Sequence, residues 1–319
     1  MVRKQLLNHF GSSTKRRKGV VLTLGVFDGV HLGHQRIIGE VVRYAEAIRG
    51  ISVVVTFHPH PQEVLKSKKV PLLIPIDRRV ELIKKMHVDE VITIDFTKEL
   101  SALSPRAFLE QILFPRLDIK RIFVGKNFHF GKDRKGDVES LKKMCNNYGI
   151  DVVVVQEVST NGCTISSTKI REAIQRGEIP KVRKSLGRFP EITGMVSKGE
   201  RRGRVLGYPT ANVSLDSNIA LPSNGVYAVY VGINNRKYQG MSNLGYRPTF
   251  NSRMFNLEVH IFDFDQKIYD FPIRVFFVEK MRDEIAFSNI DMLRDQLKED
   301  VKKAREILNR STFNEKKEV

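Results

Sequence analysis

Residues 20–36, VVLTLGVFDGVHLGHQR, are typical of a buried strand, a tight turn and the start of a helix. The β-branched and aliphatic residues of 20–27 favour a strand that is covered on both faces, as in parallel α/β sheets. Ligands of such sheets bind outside the carboxyl ends of the strands, where this turn lies. The turn carries His31 and His34 with Gly33 between them, at a helix start whose amides favour anions. The stretch therefore predicts a phosphate site.

Strands and helices continue to alternate after this stretch. Buried runs predict strands at 51–57, 90–96, 121–125 and 152–155. Apolar periodicity predicts helices at 33–49, 104–113, 138–148 and 179–186, one that Asp77 caps, and one that starts near Thr168. This alternation favours an α/β fold with a doubly wound parallel sheet.

The pattern changes after Gly187. Short strand-like runs separated by turns predict an antiparallel barrel or sandwich, and 292–308 is an amphipathic helix that we expect to pack against it. We therefore predict two domains, residues 1–186 and residues 187–319.

The composition is that of a globular protein with a strong basic bias. The 319 residues are 41% hydrophobic and 28% charged, and the formal net charge is +18. Such a charge implies anionic partners: nucleic acid, an acidic surface or phosphorylated small molecules. Neither a zinc finger nor an aromatic RNA-binding signature occurs, so specific nucleic-acid recognition is disfavoured.

Targeting and redox signals favour the cytoplasm. No apolar run is long enough to span a bilayer, and the first residues lack the apolar core of a signal peptide. The two cysteines, Cys145 and Cys163, lack metal-ligand spacing, which favours free thiols in a reducing compartment. The sequence carries no signal for an oligomeric state.

The histidine pair has three interpretations. Two histidines are too few for a metal site without a nearby carboxylate, and histidines satisfied inside a core remain an alternative. The position between strand and helix favours phosphate binding. Arg171 and three loop lysines would add positive charge, although a solvated loop explains the lysines equally well: Lys126, Lys132 and Lys135.

The stretch 194–213, GMVSKGERRGRVLGYPTANV, is rich in glycine and arginine but lacks the spacing of a P-loop. On a strand, residues two apart face the same side, so Thr210 and Asn212 could converge on one ligand such as Mg²⁺. A polar turn shaped by Gly207 and Pro209 is the alternative.

Four ordered motifs resemble the adenylyltransferase half of bacterial bifunctional riboflavin kinase/FAD synthetases. They are GVFDGVHLGHQ, TFHPHP at 56–61, VGKNFHFGKDRKG at 124–136 and ISSTKIR at 165–171. The resemblance implies that His31 and His34 contact ATP phosphates and that His60 shapes the flavin pocket. It implies that Asn127 lies near the nucleotide or the flavin phosphate. Further nucleotide-binding positions are implied at Gly25, Phe27, Asp28, Ser167, Thr168 and Arg171.

The second half resembles the riboflavin kinase domain of the same family. PTAN at 209–212 is intact, and LPSNGVYA, NLGYRPTF, LEVHIFDF and MRDEIAF follow in order. The resemblance implies a six-stranded barrel with Glu258 as the general base, for which an outward structural residue is the alternative. It also implies Mg²⁺ and ATP at Thr210 and Asn212, ATP at Gly194 and Lys198, and flavin at Arg282 and Glu284.

The resemblance implies a cytoplasmic, magnesium-dependent enzyme. ATP would phosphorylate riboflavin to FMN and then adenylylate FMN to FAD, with release of pyrophosphate. A chain that retains only one of the two activities is the nearest alternative. A nucleic-acid-binding protein on this scaffold is the second alternative, and basic residues clustered away from both pockets would distinguish it.

Overall fold

The computed structural model describes residues 17–66, 69–160, 162–198, 203, 206–216, 218–234, 236–249, 252–311 and 313, with the backbone alone at 17–18, 246–249 and 252–254. The chain divides into two compact units, Met1–Ser166 and Ser167–Val319. The domain boundary that the sequence predicts after residue 186 stays a prediction.

The first unit is built on a five-stranded parallel sheet. Its strands are β1 (Arg17–Leu24), β2 (Ile51–His58), β3 (Glu90–Asp95), β4 (Leu117–Gly125) and β5 (Asp151–Val155). They lie in the order β3-β2-β1-β4-β5, and every neighbouring pair is parallel. The predicted doubly wound sheet is confirmed.

The helices of this unit lie between the strands. They are α1 (Leu32–Ala47), α2 (Pro61–Lys66), α3 (Ile76–Lys84), α4 (Lys98–Ser101), α5 (Pro105–Phe108, continued by a π-helix over Leu109–Leu113) and α6 (Val138–Asn146).

The side chains of β1 alternate between two cores, because successive residues of a strand point to opposite faces. Leu22 packs with residues of α5 and α6, whereas Val21 packs with residues of α1.

Helix starts agree with the capping expectations at one position and differ at another. Ser104 accepts a hydrogen bond from the Ala107 amide and Pro105 follows it, as the sequence predicts for α5. The prediction that Asp77 caps α3 is wrong, because Pro75 holds the N-cap position. Asp77 lies in the first turn, where its charge still complements the helix dipole.

The second unit opens with two helices, α7 (Ser167–Gln175) and α8 (Ile179–Leu186). A small hairpin of β6 (Ser159–Thr160) and β7 (Cys163–Thr164) precedes these helices in the chain. The strands that follow the helices are β8 (Glu191–Ser197), β9 (Ala211–Val213), β10 (Gly225–Ile233), β11 (Arg236–Thr249), β12 (Ser252–Ile261) and β13 (Pro272–Arg282). β8 to β13 close into a six-stranded antiparallel barrel in the order β10-β11-β12-β9-β8-β13, which confirms the barrel alternative.

The barrel has an inner and an outer apolar face. Along β10, Tyr227 and Val229 pack with the inner core, whereas Val226 and Ala228 pack with the last helix, α9 (Ile290–Arg310). This period-two alternation produces a filled barrel interior and a separate apolar outer surface against which α9 packs. The helix extends two residues beyond the predicted range at each end.

The two cysteines have different environments. Cys145 is buried against the first sheet, and Cys163 is exposed on the β6–β7 hairpin. Burial raises the pKa of the Cys145 thiol to about 12. Among the described residues, no helix is long and apolar enough to cross a membrane.

Candidate active sites

The strand order places the histidine turn at the switch point of the first sheet. The order reverses between β1 and β4, which lie side by side. The turn with His31 and His34 follows β1, and the loop with Asn127 follows β4. A crevice between the carboxyl ends of two such strands is where open α/β sheets bind their ligands.

His31 and His34 form a stacked pair at the start of α1. Their ring centroids are 3.6 Å apart and the rings are inclined by 18°. His31 is the N-cap residue, and its Nδ1 accepts a hydrogen bond from the backbone N–H of His34 at 3.3 Å. A neutral His31 ring therefore carries its proton on Nε2. A side chain at Gly33 would lie 3.1 Å from the His31 ring, so glycine leaves space for the pair.

His34 is held neutral. Burial lowers its pKa well below the ordinary value, and the charges of His31 and Arg79 lower it further. The Phe27 ring packs edge-on against it, with 5.2 Å between the centroids. Nδ1 of His34 is buried and has no hydrogen-bond partner among the described residues. An uncharged imidazole here acts as a hydrogen-bonding group and not as a fixed cation.

The lowered pKa of His34 makes stability depend on pH. Below about pH 6.5 the unfolded chain protonates this histidine and the folded chain does not, so stability is lost as the pH falls. We expect His34→Gln to reduce the pH dependence of the unfolding free energy between pH 6.5 and 5, by at most about 1.4 kcal/mol per pH unit. Urea unfolding at several pH values measures this, and an unchanged slope would contradict it.

Three further predicted nucleotide positions have structural contacts in the turn. The Gly25 N–H donates to the Val55 carbonyl, and a side chain at Gly25 would meet the Phe27 ring at 3.2 Å. The Asp28 carboxylate is buried and accepts from the Leu73 N–H at 3.0 Å, so it anchors the turn. The Phe27 side chain is buried in an apolar cluster. Their nucleotide contacts stay predictions.

Arg79 is a buried residue of this region that the sequence did not reveal. Its side chain is fully buried, and Nη1 donates to the Phe57 carbonyl at 3.1 Å and lies 3.4 Å from the Thr56 hydroxyl. Nε and Nη2 have no hydrogen-bond partner among the described residues. Burial lowers the pKa of Arg79, and the negative charge of Asp28 opposes the shift. The histidine turn thus lies in the field of a buried positive charge.

The other predicted site residues of the first unit lie outside the histidine turn. Asn127 is exposed after β4, and its side-chain amide donates to Glu157, which follows β5. His60 is buried, and its Nδ1 accepts from the Gln62 N–H at 3.2 Å, at the start of α2. The three loop lysines are exposed: Lys126, Lys132 and Lys135. Their ligand contacts stay predictions.

The ISSTKIR motif lies across the unit boundary. Ser167 is the first residue of α7, Thr168 is exposed in the first turn, and Arg171 is partly buried one turn later. The three residues belong to the second unit. Their contact with nucleotide phosphates stays a prediction.

A row of polar residues crosses three strands of the barrel. Glu258 of β12 lies directly opposite Asn212 of β9 on one side and Asn243 of β11 on the other. Residues directly opposite in neighbouring strands share a face, so these three lie on one face. The Thr210 hydroxyl lies 3.4 Å from Oε2 of Glu258, and Asn256 donates to Oε1 at 2.8 Å. The predicted set of Thr210, Asn212 and Glu258 is thus brought together.

Three of these side chains, Thr210, Asn243 and Glu258, line a cavity of about 310 Å³. Thr210, Asn243 and Glu258 form its polar wall, and Leu293 and Leu297 of α9 form an apolar wall opposite the barrel. His260 also lines the cavity, and burial lowers its pKa, although the Pro209 carbonyl opposes the shift. A partly open cavity with one apolar wall and a few convergent polar groups suits a small aromatic molecule with a polar tail.

Arg282 and Glu284 lie at the same cavity and are held by other side chains. Arg282 binds the buried carboxylate of Asp300 through Nε at 3.0 Å and through Nη2 at 2.6 Å. Glu284 accepts from Asn243 at 3.2 Å and from Asn224 at 3.3 Å. The sequence did not reveal these partners, because each pairs residues distant along the chain.

Two more predicted ATP positions lie on β8 and directly after it. A side chain at Gly194 would meet the Ser214 carbonyl at 2.0 Å, so glycine allows the close approach of this segment. Lys198 is exposed after the end of the strand. The adjoining arginines of 201–204 lie outside the described residues. Nucleotide contacts of Gly194 and Lys198 stay predictions.

Family models match both units. The model described as FAD synthetase matches residues 13–169, and the model described as riboflavin kinase matches residues 186–308. A protein of Buchnera aphidicola subsp. Schizaphis graminum, named bifunctional riboflavin kinase/FMN adenylyltransferase, is 36% identical over 96% of this chain and 99% of its own length. The chain belongs to this bifunctional family.

Two further proteins are similar to most of this chain. The Bacillus subtilis protein of the same name is 34% identical over 89% of this chain and 91% of its own length. A solved structure from Streptococcus pneumoniae, described as a macrolide-efflux protein, has a TM-score of 0.85 and 32% sequence identity, and covers 95% of this chain and 96% of its own. The similarity to these proteins therefore spans both units.

The Arg282–Asp300 ion pair gives a prediction for the stability of the barrel unit. Asp300 is 3% exposed, so removal of its carboxylate leaves a mostly buried guanidinium without compensation. We expect Asp300→Ala to lower the free energy of unfolding by about 3–5 kcal/mol, measured by denaturant titration. Asp291→Ala, which breaks the exposed pair with Arg294 on the same helix, should cost less than about 1 kcal/mol. Equal losses in both variants would contradict the prediction.

Proposed function

We propose that the barrel unit phosphorylates riboflavin with ATP and that the α/β unit transfers AMP from ATP to FMN, in the cytoplasm. The observation that supports the kinase is the row of Asn212, Glu258 and Asn243 beside the cavity. The stacked His31 and His34 at the switch point support the adenylyl transfer. The family membership gives both reactions their substrates.

In the kinase reaction, Glu258 is the general base. Its carboxylate takes the proton of the ribityl 5′-hydroxyl while that oxygen attacks the γ-phosphorus of ATP and the bond to ADP breaks. Asn256 and Thr210 bind its two oxygens and fix its orientation. The apolar wall that α9 contributes suits the flavin ring, which leaves the polar tail to face Glu258.

The donor set near Glu258 fits a magnesium ion. Thr210, Asn212 and Glu258 offer hydroxyl, amide and carboxylate oxygens, the ligand types that Mg²⁺ takes. Among the described residues, no cluster of three or more His, Cys, Asp or Glu is placed to hold a metal. We therefore propose Thr210 and Asn212 as ligands that act together with ATP phosphates. A bound Mg²⁺ would neutralise the charge of the transferring phosphoryl group.

In the adenylyl transfer, an oxygen of the FMN phosphate attacks the α-phosphorus of ATP and pyrophosphate leaves. The attacking phosphate is already anionic, so no side chain has to remove a proton. The reaction needs alignment and donors for developing charge. The stacked imidazoles of His31 and His34 and the amides at the start of α1 are the groups that we propose as such donors.

The experiment that tests the proposal is an assay of the full chain. Riboflavin, ATP and Mg²⁺ should give FMN and then FAD, separated by chromatography, and FMN with ATP should give FAD directly. Accumulation of FMN without FAD would favour a chain with the kinase activity alone. Formation of neither FMN nor FAD would refute the proposal. Steeply salt-dependent binding to RNA with no flavin product would favour the nucleic-acid alternative.

A further inference from the structure

The segment that carries Thr210 lies beyond the end of its strand pairing. β9 pairs with β12 through Val213–Leu257, Asn212–Glu258 and Ala211–Val259, and no further pair follows. Pro209 has no backbone N–H, so it cannot donate to β12. The pairing of backbones therefore fixes Asn212 but leaves Thr210 without a backbone restraint from β12.

The His260 side chain provides a restraint at this point. It is the residue of β12 that follows Val259, and its Nδ1 lies 2.8 Å from the carbonyl oxygen of Pro209. A carbonyl oxygen only accepts, so Nδ1 carries the proton and donates it. This side-chain hydrogen bond thus holds the segment at Pro209 to β12, beyond the last backbone pair of the two strands.

The ring of His260 is itself held on two sides. Tyr208 packs edge-on against it with 5.4 Å between the ring centroids, and Phe262 does so with 5.6 Å. His260 lies two residues after Glu258 on β12, so both side chains are on one face, and both line the cavity. A fixed donor therefore stands beside the proposed base.

We propose that His260 is a positioning residue for phosphoryl transfer, which holds the Pro209 carbonyl and so keeps the Thr210 hydroxyl against Glu258. The inference rests on the proposed kinase function of this cavity. Displacement of Thr210 would misplace a phosphate-binding hydroxyl and free one oxygen of the base. Catalytic geometry is sensitive to shifts of about 1 Å, which can cost about 10²-fold in rate.

The test compares three variants of the full chain. His260→Ala removes both ring and donor, His260→Phe keeps the ring between Tyr208 and Phe262 without a donor, and His260→Asn supplies an amide N–H in place of Nδ1. We expect kcat for riboflavin phosphorylation to fall by about 10- to 100-fold in the Ala and Phe variants. The Asn variant should keep at least about a third of the wild-type kcat, because it restores the hydrogen bond. Adenylylation of FMN by the same preparations controls for concentration, and denaturant titration controls for folding of the barrel.

Two results would overturn the proposal. One is an unchanged kcat in His260→Phe, and the other is a loss in His260→Asn as large as that in His260→Ala. The ¹⁵N chemical shifts of the His260 imidazole give a readout that does not depend on activity. We expect the Nδ1–H tautomer at neutral pH, and the Nε2–H tautomer would refute the hydrogen bond. Absence of FMN formation in the wild type would instead refute the proposed kinase function and leave the tautomer to decide the role of His260.

Discussion

FAD formation from FMN and ATP should fall by at least about 10³-fold when His31 and His34 are both replaced by alanine, whereas riboflavin phosphorylation should keep its wild-type rate. Loss of a single donor that stabilises developing charge costs about 10²–10³ in kcat, and the double variant removes two stacked imidazoles. The cavity that we propose for the kinase reaction lies in the other unit. Separate assays of the two reactions with one preparation measure both effects.

A cap-preserving variant separates chemistry from stability. His31 caps α1, so its replacement by alanine also costs about 1 kcal/mol of helix stability. His31→Asn can still accept the His34 N–H but lacks the imidazole ring that stacks on His34, so it should lose FAD formation while it remains folded. His87→Asn, at an exposed turn of the same unit with φ of 62°, is the matched control and should keep both activities. FAD formation near the wild-type rate in the double variant would refute the role of the histidine turn.

Glu258→Gln should lower riboflavin phosphorylation by about 10²–10⁴-fold, the usual contribution of a general base, and leave FMN adenylylation unchanged. Glutamine keeps the size of the side chain and an oxygen that accepts from Asn256, so the barrel should fold normally. The variant lacks only the ability to take the proton from the hydroxyl. Chromatographic separation of FMN and FAD, starting from riboflavin in one assay and from FMN in the other, measures the two rates.

The matched control for this variant is Glu279→Gln. Glu279 lies on β13 of the same barrel, but its side chain is exposed and does not line the cavity. The same change of charge there should leave both activities intact. Full kinase activity in Glu258→Gln would remove Glu258 from the role of base, and equal losses in both variants would point to the charge of the barrel surface.

The sequence predicted the fold because its signals are local. The strands of the first unit are rich in β-branched residues, and Ser104 followed by Pro105 marks a helix start. The ends of elements were less predictable: the predicted strand continues to Phe27, whereas β1 ends at Leu24 and Phe27 lies in the following turn with a left-handed φ of 51°. A barrel could not be distinguished from a sandwich, because the pairing of β10 with β13 closes the sheet across distant residues.

The sites were predictable to the extent that motifs lie within one stretch. The stacked histidines and the PTAN segment each occupy a few consecutive residues. Arg79, Asp300 and His260 could not be found in this way, since their roles depend on the Phe57 carbonyl, Arg282 and the Pro209 carbonyl, which other elements supply. A single sequence indicates what a motif offers, but not the groups that the fold brings to support it.

The contrast between the two thiols makes this chain convenient for single-site labelling. Reaction with a maleimide requires an accessible thiolate, and burial with a pKa of about 12 protects Cys145 from it. Cys163 is exposed on the β6–β7 hairpin, shortly before α7. A fluorophore attached to Cys163 labels the wild-type sequence at one defined position. No engineered cysteine is needed for this label.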